Sequence, residues 1–453
     1  MKPNKSQTIR SAATDLLTRV DKSGGYSHLL VDQVIKRNNF SSKDAGLFTE
    51  IVYGTLQRRL TLEYFLSTFI TKKKKIEPWV KWLLLLSLYQ LHYLSRVPDH
   101  AVIHEAVEIG KQKGHAGIAK FVNGVLRNVQ RNGLPSLEAI EDPIERISIE
   151  TSHPVWLVKR WADMYGIDVT REMCEENNRR KKMTIRIQPL RTNREEVIEQ
   201  LKTDGLEAIP SRVSPQGIII KEGNILHHPA FHEGILSIQD ESSMLVSEIV
   251  NPKENMTVLD ACSAPGGKTT HLAEKMHDKG VIYAHDLHAN KVKLVDQKAK
   301  QLGLSSITVS AADARKLREK YEDSSFDRIL VDAPCSGFGV VSSKPDIKYH
   351  RELVDVKNLA KIQQDILTHV APLLKEHGRL VYSTCTVDKE ENEEVIRQFL
   401  NRSSNFEVDQ EFFNELPDFL KNSQGRTEYG LQIFPQDLHS DGFFITRLKW
   451  KNG

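Results

Sequence analysis

From about residue 255 onward the chain alternates short apolar runs with longer amphipathic ones, a pattern that few folds accommodate. Thr257–Asp260, Val281–Asp286, Ile307–Ala311, Arg328–Asp332 and Arg379–Ser383 read as strands. Lys268–Lys275, Ala289–Leu302, Arg351–Leu374 and Lys389–Leu400 read as helices among them. Strands that return to one sheet through helices make right-handed crossovers, so an α/β domain is expected, with a mostly parallel sheet and helices on both faces. The stretch Leu431–Trp450 holds two strand-like runs around the turn His439–Gly442, expected as an antiparallel pair at the sheet edge.

The preceding sequence follows other periods. In the first ~130 residues apolar side chains recur at three- and four-residue spacing, as in Ile9, Ala13, Leu16, Leu17 and Val20, which predicts a helical bundle. Trp79–Leu94 is the most hydrophobic segment, yet it contains Lys81, Gln90 and His92 and is too short to span a bilayer, so it reads as a buried helix. Leu134–Glu150, acidic and Pro-containing, is a candidate linker. A small α+β module is expected next, with a helix at His153–Tyr165, a strand at Met183–Gln188, a helix at Glu195–Leu201 and strands near Gly217–Lys221. The domain reading is thus 1–140, 150–245 and 246–453.

Charge divides the same way. The net charge of +3 hides a surplus of 11 positive charges in residues 1–133, where 21 Lys+Arg stand against 10 Asp+Glu. A basic first part on a mildly acidic remainder points to a polyanionic partner, with Lys72–Lys75 and Arg179–Lys182 as candidate contacts. Four cysteines in so long a chain, with no CxxC pair and no His cluster at ligand spacing, exclude a disulfide scaffold and argue against a metal site. No signal-peptide pattern is present, and a cytoplasmic protein is expected.

In open α/β sheets ligands bind at the carboxyl ends of strands, and the unusual motifs of this chain sit there. V-L-D-A-C-S-A-P-G-G-K-T-T, residues 258–270, links the first strand to a helix through small residues that let backbone N–H groups approach a ligand. Its G-K-T end resembles a Walker A loop, but Cys262 stands where the first glycine of that motif belongs, so the loop alone leaves a P-loop NTPase open. Asp286, Asp313 and Asp332 follow the next three strands. Three carboxylates in a row suit a nucleoside and would repel a triphosphate. Cys335, in D-A-P-C-S, follows the fourth strand, and Cys385, in S-T-C-T, follows the fifth. One cysteine is commonly a core residue; two at adjacent strand ends, set among Pro, Ser, Thr and Gly, point to chemistry. Asp388 and Glu391 read as a capping box for the helix beyond Cys385. His271 and His285, beside the site, read as structural.

With D-A-P-C-S and S-T-C-T in place, the chain resembles the bacterial Sun/RsmB-type 16S rRNA cytosine-C5 methyltransferases, end to end. Phe121–Arg127 (FVNGVLR) looks like part of a NusB-like RNA-binding domain, and Ser152–Trp161, Gln239–Ser243 (QDESS) and Asp441–Ile445 (DGFFI) also match. The resemblance implies a Rossmann-like methyltransferase domain preceded by an all-α NusB-like domain and the small α+β module. It implies S-adenosylmethionine as cofactor, held by Cys262, Ser263, Ala264, Pro265, Gly266, Gly267, Lys268, Asp286, Asp313 and Asp332. Lys268 would pair with the methionine carboxylate or orient the base. Cys385 would be the nucleophile that adds to carbon 6 of cytosine, and Cys335 would assist release. The implied partner is 16S rRNA, naked or in an assembling small subunit, bound by a monomer without metal or membrane. One departure is Val340–Ser343, where the family often has basic residues. Alternatives are a cytosine-C5 enzyme acting on tRNA or another RNA, the P-loop NTPase, and a non-catalytic RNA-binding factor.

Overall fold

The computed structural model describes residues 7–23, 27–70 and 76–451. The chain packs as two units, one of Met1–Arg179 with Val341–His350, the other of Arg180–Val340 with Arg351–Gly453.

Up to Glu176 the described residues of the first unit form ten α-helices. These are α1 (Ile9–Ser23), α2 (Ser27–Asn38), α3 (Ser42–Gln57), α4 (Arg59–Ser67), α5 (Pro78–Tyr93), α6 (Asp99–Lys113), α7 (Ala116–Asn132), α8 (Pro143–Thr151), α9 (Val155–Tyr165) and α10 (Ile167–Glu176). The apolar segment Trp79–Leu94 becomes α5, started by Pro78 in its first turn. It packs against α1, α3, α4, α6 and α7, which bury Leu83, Leu84, Leu85, Leu86 and Leu88. That is why it lacks the polar face of its neighbours. The expected linker Leu134–Glu150 is a correction. Asp142 accepts a hydrogen bond from the Glu145 N–H at 2.7 Å and Pro143 opens α8, whose Ile147 is fully buried. Val341–His350 joins this unit through Lys348, which is buried and donates to the Gln57 carbonyl at 3.0 Å, and through the Tyr349 hydroxyl, which donates to the Ser152 carbonyl. The basic run Lys72–Lys75 lies outside the described residues.

The second unit contains two sheets. The smaller is antiparallel, in the order β2 (Glu207–Pro210), β3 (Gly217–Glu222), β1 (Met183–Ile187), β4 (Leu236–Ile238). α11 (Arg194–Thr203) packs on it, capped by Asn193. From β1, Arg186 reaches the helix Gly267–Lys275 of the larger domain and is fully buried there. It forks onto Glu274 (Nε to Oε2 2.6 Å, Nη2 to Oε1 2.9 Å) and donates to the Gly267 carbonyl at 2.9 Å and to the Thr270 hydroxyl at 3.0 Å. The arginine thereby fixes the helix that follows the Gly loop. Breaking a buried pair leaves the other charge unpaired, so Arg186→Met is expected to lower the unfolding free energy by about 3–5 kcal/mol. Denaturant titration of the two proteins measures it.

The larger sheet runs β11 (Arg426–Thr427), β12 (Gly430–Ile433), β13 (Phe443–Trp450), β9 (Leu374–Thr384), β8 (Phe326–Asp332), β5 (Thr257–Asp260), β6 (Val281–Asp286), β7 (Ile307–Ala311), and β10 (Phe406–Val408) also pairs with β13. β5 to β9 are mutually parallel. The connections reverse direction between β5 and β8, the switch point where such sheets bind ligands. β13 is antiparallel and pairs with β12, as expected for the stretch Leu431–Trp450, but it is seated between β9 and β12 with Phe443–Leu448 buried along its length. The helix expected over Arg351–Leu374 spans Leu353–Val370, and β9 starts at Leu374 instead of Arg379, because Pro372 cannot continue an α-helix.

Candidate active site

The strand ends at the switch point carry the site. β5 delivers the Gly loop, which turns on Gly266 at φ +99°, a conformation that side-chain-bearing residues avoid. A Cβ there would also press on Val295 Cα at 3.1 Å, so the loop admits only glycine. The Ser263 N–H donates to the His285 carbonyl at 2.7 Å and the Gly266 N–H to the Ser263 carbonyl at 2.7 Å, which tie the loop to β6 and to itself. The Ala264–Pro265 peptide is cis.

Four carboxylates surround this loop. Burial first, then Asp260, Asp332, Asp286 and Asp313, push the Cys262 thiol well above its ordinary range. Asp286 closes β6 and accepts from the His288 N–H at 3.0 Å. Asp313 is already forked by Arg315 (Nε 2.9 Å, Nη2 2.7 Å), and that bond holds its carboxyl below the usual range. Asp332 accepts from Lys268 Nζ at 2.8 Å and from the Ser383 hydroxyl at 2.8 Å. Lys268 Nζ also lies 4.8 Å from the centre of the Phe443 ring. A lysine engaged in this way, inside an acidic rim, is unlike the free lysine of a phosphate-gripping loop, and the P-loop reading is dropped.

Asp260 is buried behind the loop, where the Thr269 hydroxyl donates to its Oδ2 at 2.7 Å and its Oδ1 has no partner. Burial, helped by Asp332, pushes its carboxyl from 3.8 up to about 7. The folded state therefore holds this proton more tightly than the unfolded chain, and stability is lost as pH rises from about 4 through 7. Relative to the wild type, Asp260→Asn should gain up to about 3–4 kcal/mol at pH 8 and nothing at pH 4. Unfolding free energies of both proteins measured across that range check it.

Cys335 and Cys385 come together, Sγ to Sγ 3.3 Å, both partly exposed. That is a hydrogen bond between sulfurs, far longer than a disulfide. The bond to Cys385 is the foremost reason why the Cys335 thiol sits well above its ordinary range, followed by burial and the charges of Cys385, Glu391 and Asp332. Backbone contacts set the pair. Gly339 N–H donates to the Cys385 carbonyl at 3.0 Å, and Gly442 N–H donates to the Gly339 carbonyl at 2.8 Å. The hydroxyls of Ser336 and Thr386, next to each cysteine, lie 2.8 Å apart. The DGFFI and QDESS motifs meet behind this clamp. There the Ser242 hydroxyl donates to the Asp441 carbonyl at 2.7 Å, the Ser440 hydroxyl donates to Asp240 at 2.6 Å, and Lys181 pairs with Asp441.

The expected site residues thus lie on neighbouring loops, but two expectations change. The basic run Arg179–Lys182 is partly committed: Arg179 pairs with Glu176 at 2.9 Å, and Lys181 with Asp441. Asp388 and Glu391 do not cap a helix, since the helix beyond Cys385 starts at Glu393 and Glu391 turns inward. Its Oε2 accepts from the Ser336 N–H at 2.8 Å and from Gln363 Nε2 at 2.9 Å. Glu391, Gln363 and Arg186 are not legible as part of this surround, because each acts across distant sequence; Asp260 lies within the Gly-loop motif, but its burial does not show in the sequence. His285 is buried against Ser310 and the Tyr321 hydroxyl, and His271 lies buried with Nε2 3.4 Å from Glu248.

Family models match 16S rRNA methyltransferase RsmB/F over residues 247–449, the NusB family over 7–131 and the RsmF/B-like ferredoxin-like domain over 153–226. With the Rossmann-like sheet and its acidic strand ends, they define an S-adenosylmethionine-dependent methyltransferase carrying a NusB-like domain and a ferredoxin-like module. The probable ribosomal RNA small subunit methyltransferase B of Bacillus subtilis is 47% identical over 99% of this chain and 100% of its own length, and that of Synechocystis is 34% identical over 98% and 99%. The chain belongs to the ribosomal RNA small subunit methyltransferase B family. Among solved structures, that of PH0851 superposes with a TM-score of 0.81 at 26% identity, covering 99% of this chain and 100% of that one. A methyltransferase homologue from Pyrococcus horikoshii gives 0.59 at 26%, covering 69% and 100%.

Proposed function

We propose that this protein methylates carbon 5 of a cytosine in 16S rRNA through a covalent bond from Cys385 to carbon 6 of the base. The observation that carries the reading is the sulfur pair, 3.3 Å apart at the ends of adjacent parallel strands and beside the Gly loop.

S-adenosylmethionine, when bound, supplies a methyl group on a positively charged sulfonium. The acidic rim fits such a cation, and a loop of small residues that turns on Gly266 at positive φ fits close approach of its backbone. Cys262, Ser263, Ala264, Pro265, Gly266, Gly267 and Lys268 with Asp286, Asp313 and Asp332 would hold it. Carbon 5 of cytosine is a poor nucleophile, and a Cys385 thiolate adding to carbon 6 turns it into an enamine-like centre. During that attack Cys335 keeps its proton and donates it in a hydrogen bond to Cys385. Once the Cys385 sulfur is bonded to carbon, it is a neutral thioether. The main cause that held the Cys335 proton is then gone, and Cys335 can release that proton to solvent. After carbon 5 is methylated, the Cys335 thiolate takes the carbon 5 proton. The C6–S bond breaks, and its electron pair returns to Cys385.

The basic N-terminal domain (1–140) and the module at 150–245 would grip the RNA in a salt-dependent way and present an unstacked base to the domain at 246–453. The protein would work as a cytoplasmic monomer. Incubation with small-subunit rRNA and methyl-labelled S-adenosylmethionine should place label in 5-methylcytidine after nuclease digestion. Label in any other nucleoside would sink the reading.

A further inference from the structure

The residue that ties the Cys335 loop from behind is Glu391, which is fully buried. Its Oε2 accepts from the N–H of Ser336, the peptide just after Cys335, at 2.8 Å. Gln363 Nε2 donates both to that oxygen and to the carbonyl of Pro334, the residue just before Cys335, each at 2.9 Å. The peptides on either side of Cys335 are therefore held by one carboxylate–amide unit. Glu391 Oε1 and Gln363 Oε1, also buried, have no partner, and among the described residues no Lys or Arg pairs with Glu391. So costly an arrangement is poorly explained by stability alone.

We propose that Glu391 is a positioning residue for the methyl transfer: it fixes the Cys335 loop and, as a buried negative group, keeps the proton on Cys335 until Cys385 has bonded to the base. This rests on the reading that gives Cys335 the release step. Glu391 is faced by Cys335 from the β8 side, by Tyr382 from β9, by uncharged Gln363 from the helix Leu353–Val370, and by Asp388 on its own loop. Burial pushes the Glu391 carboxyl up to about 7. Above that pH it is ionised and opposes loss of the Cys335 proton; below it the opposition fades.

The test reads the Cys335 thiol directly and needs no RNA. In a Cys385→Ser background, iodoacetamide labelling of the Cys335 peptide is followed by mass spectrometry between pH 6 and 10, with and without Glu391→Gln. The Gln amide oxygen can still accept from the Ser336 N–H, so the loop should stay in place. The expected result is that Glu391→Gln moves the labelling midpoint down by about one unit, making Cys335 roughly tenfold more reactive at pH 8. An unchanged midpoint in a protein that melts normally overturns the proposal. Should Glu391→Gln fail to fold, Gln363→Leu takes its place. It removes the bond that steadies the Glu391 charge, so a lowered midpoint supports the proposal and an unchanged one overturns it. The release role of Cys335 is read separately, by trapping with RNA, so the two ideas can fail independently.

Discussion

Cys335→Ala, mixed with 16S rRNA and S-adenosylmethionine, is expected to accumulate an RNA–protein complex that survives denaturing electrophoresis, whereas Cys385→Ala forms none. Both variants should lose turnover by more than about 10⁴-fold, the scale on which removal of a covalent nucleophile acts, but for different reasons. Without Cys385 no bond to carbon 6 forms. Without Cys335 the bond forms and the methylated base stays attached, because nothing removes the carbon 5 proton. The asymmetry rests on the sulfur pair, in which Cys335 holds its proton against Cys385. A complex formed by Cys385→Ala, or normal product release by Cys335→Ala, would reverse the roles assigned here.

Gly339→Val should cost at least about 10²-fold in turnover while leaving S-adenosylmethionine binding nearly intact. Any Cβ at Gly339 collides with the Gly442 carbonyl oxygen and comes within 2.9 Å of the Cys385 carbonyl oxygen. Relief requires the two cysteine loops to part, and the 3.3 Å sulfur contact depends on their approach. The Gly loop after β5 lies on a different strand end, so cofactor affinity by calorimetry separates loss of the pair from loss of the fold. An active Gly339→Val would show that the clamp does not set the chemistry.

The parallel sheet was readable because strand ends and helix starts are local signals. β5, β6 and β7 fall on the residues expected from alternation alone. The two cysteines could be brought together from sequence because adjacent strand ends in a parallel sheet share a cleft. What lay hidden depends on contacts between distant residues. Arg186 looks like one polar residue in an alternating strand, yet its partner Glu274 is 88 positions away. Glu391 looks like a helix cap until the helix is seen to start later, at Glu393. The antiparallel pair expected in Leu431–Trp450 is found as β12 with β13, whereas the pairing of β13 with β9 is long-range and does not show in the sequence. The burial of β13 on both faces was nevertheless visible in the run of apolar residues Phe443–Ile445. Leu134–Glu150 resembles a linker by composition, while Asp142–Pro143 carries a helix-start signal within it.

The most direct test of cytosine-C5 methylation is bisulfite sequencing of small-subunit rRNA from cells with and without the gene, since 5-methylcytosine resists conversion. One cytosine is expected to be protected in the parent, converted in the deletion strain, and protected again by the wild-type gene but not by Cys385→Ala. A deletion that leaves every protected cytosine unchanged, or protection restored by Cys385→Ala, would contradict the proposed function.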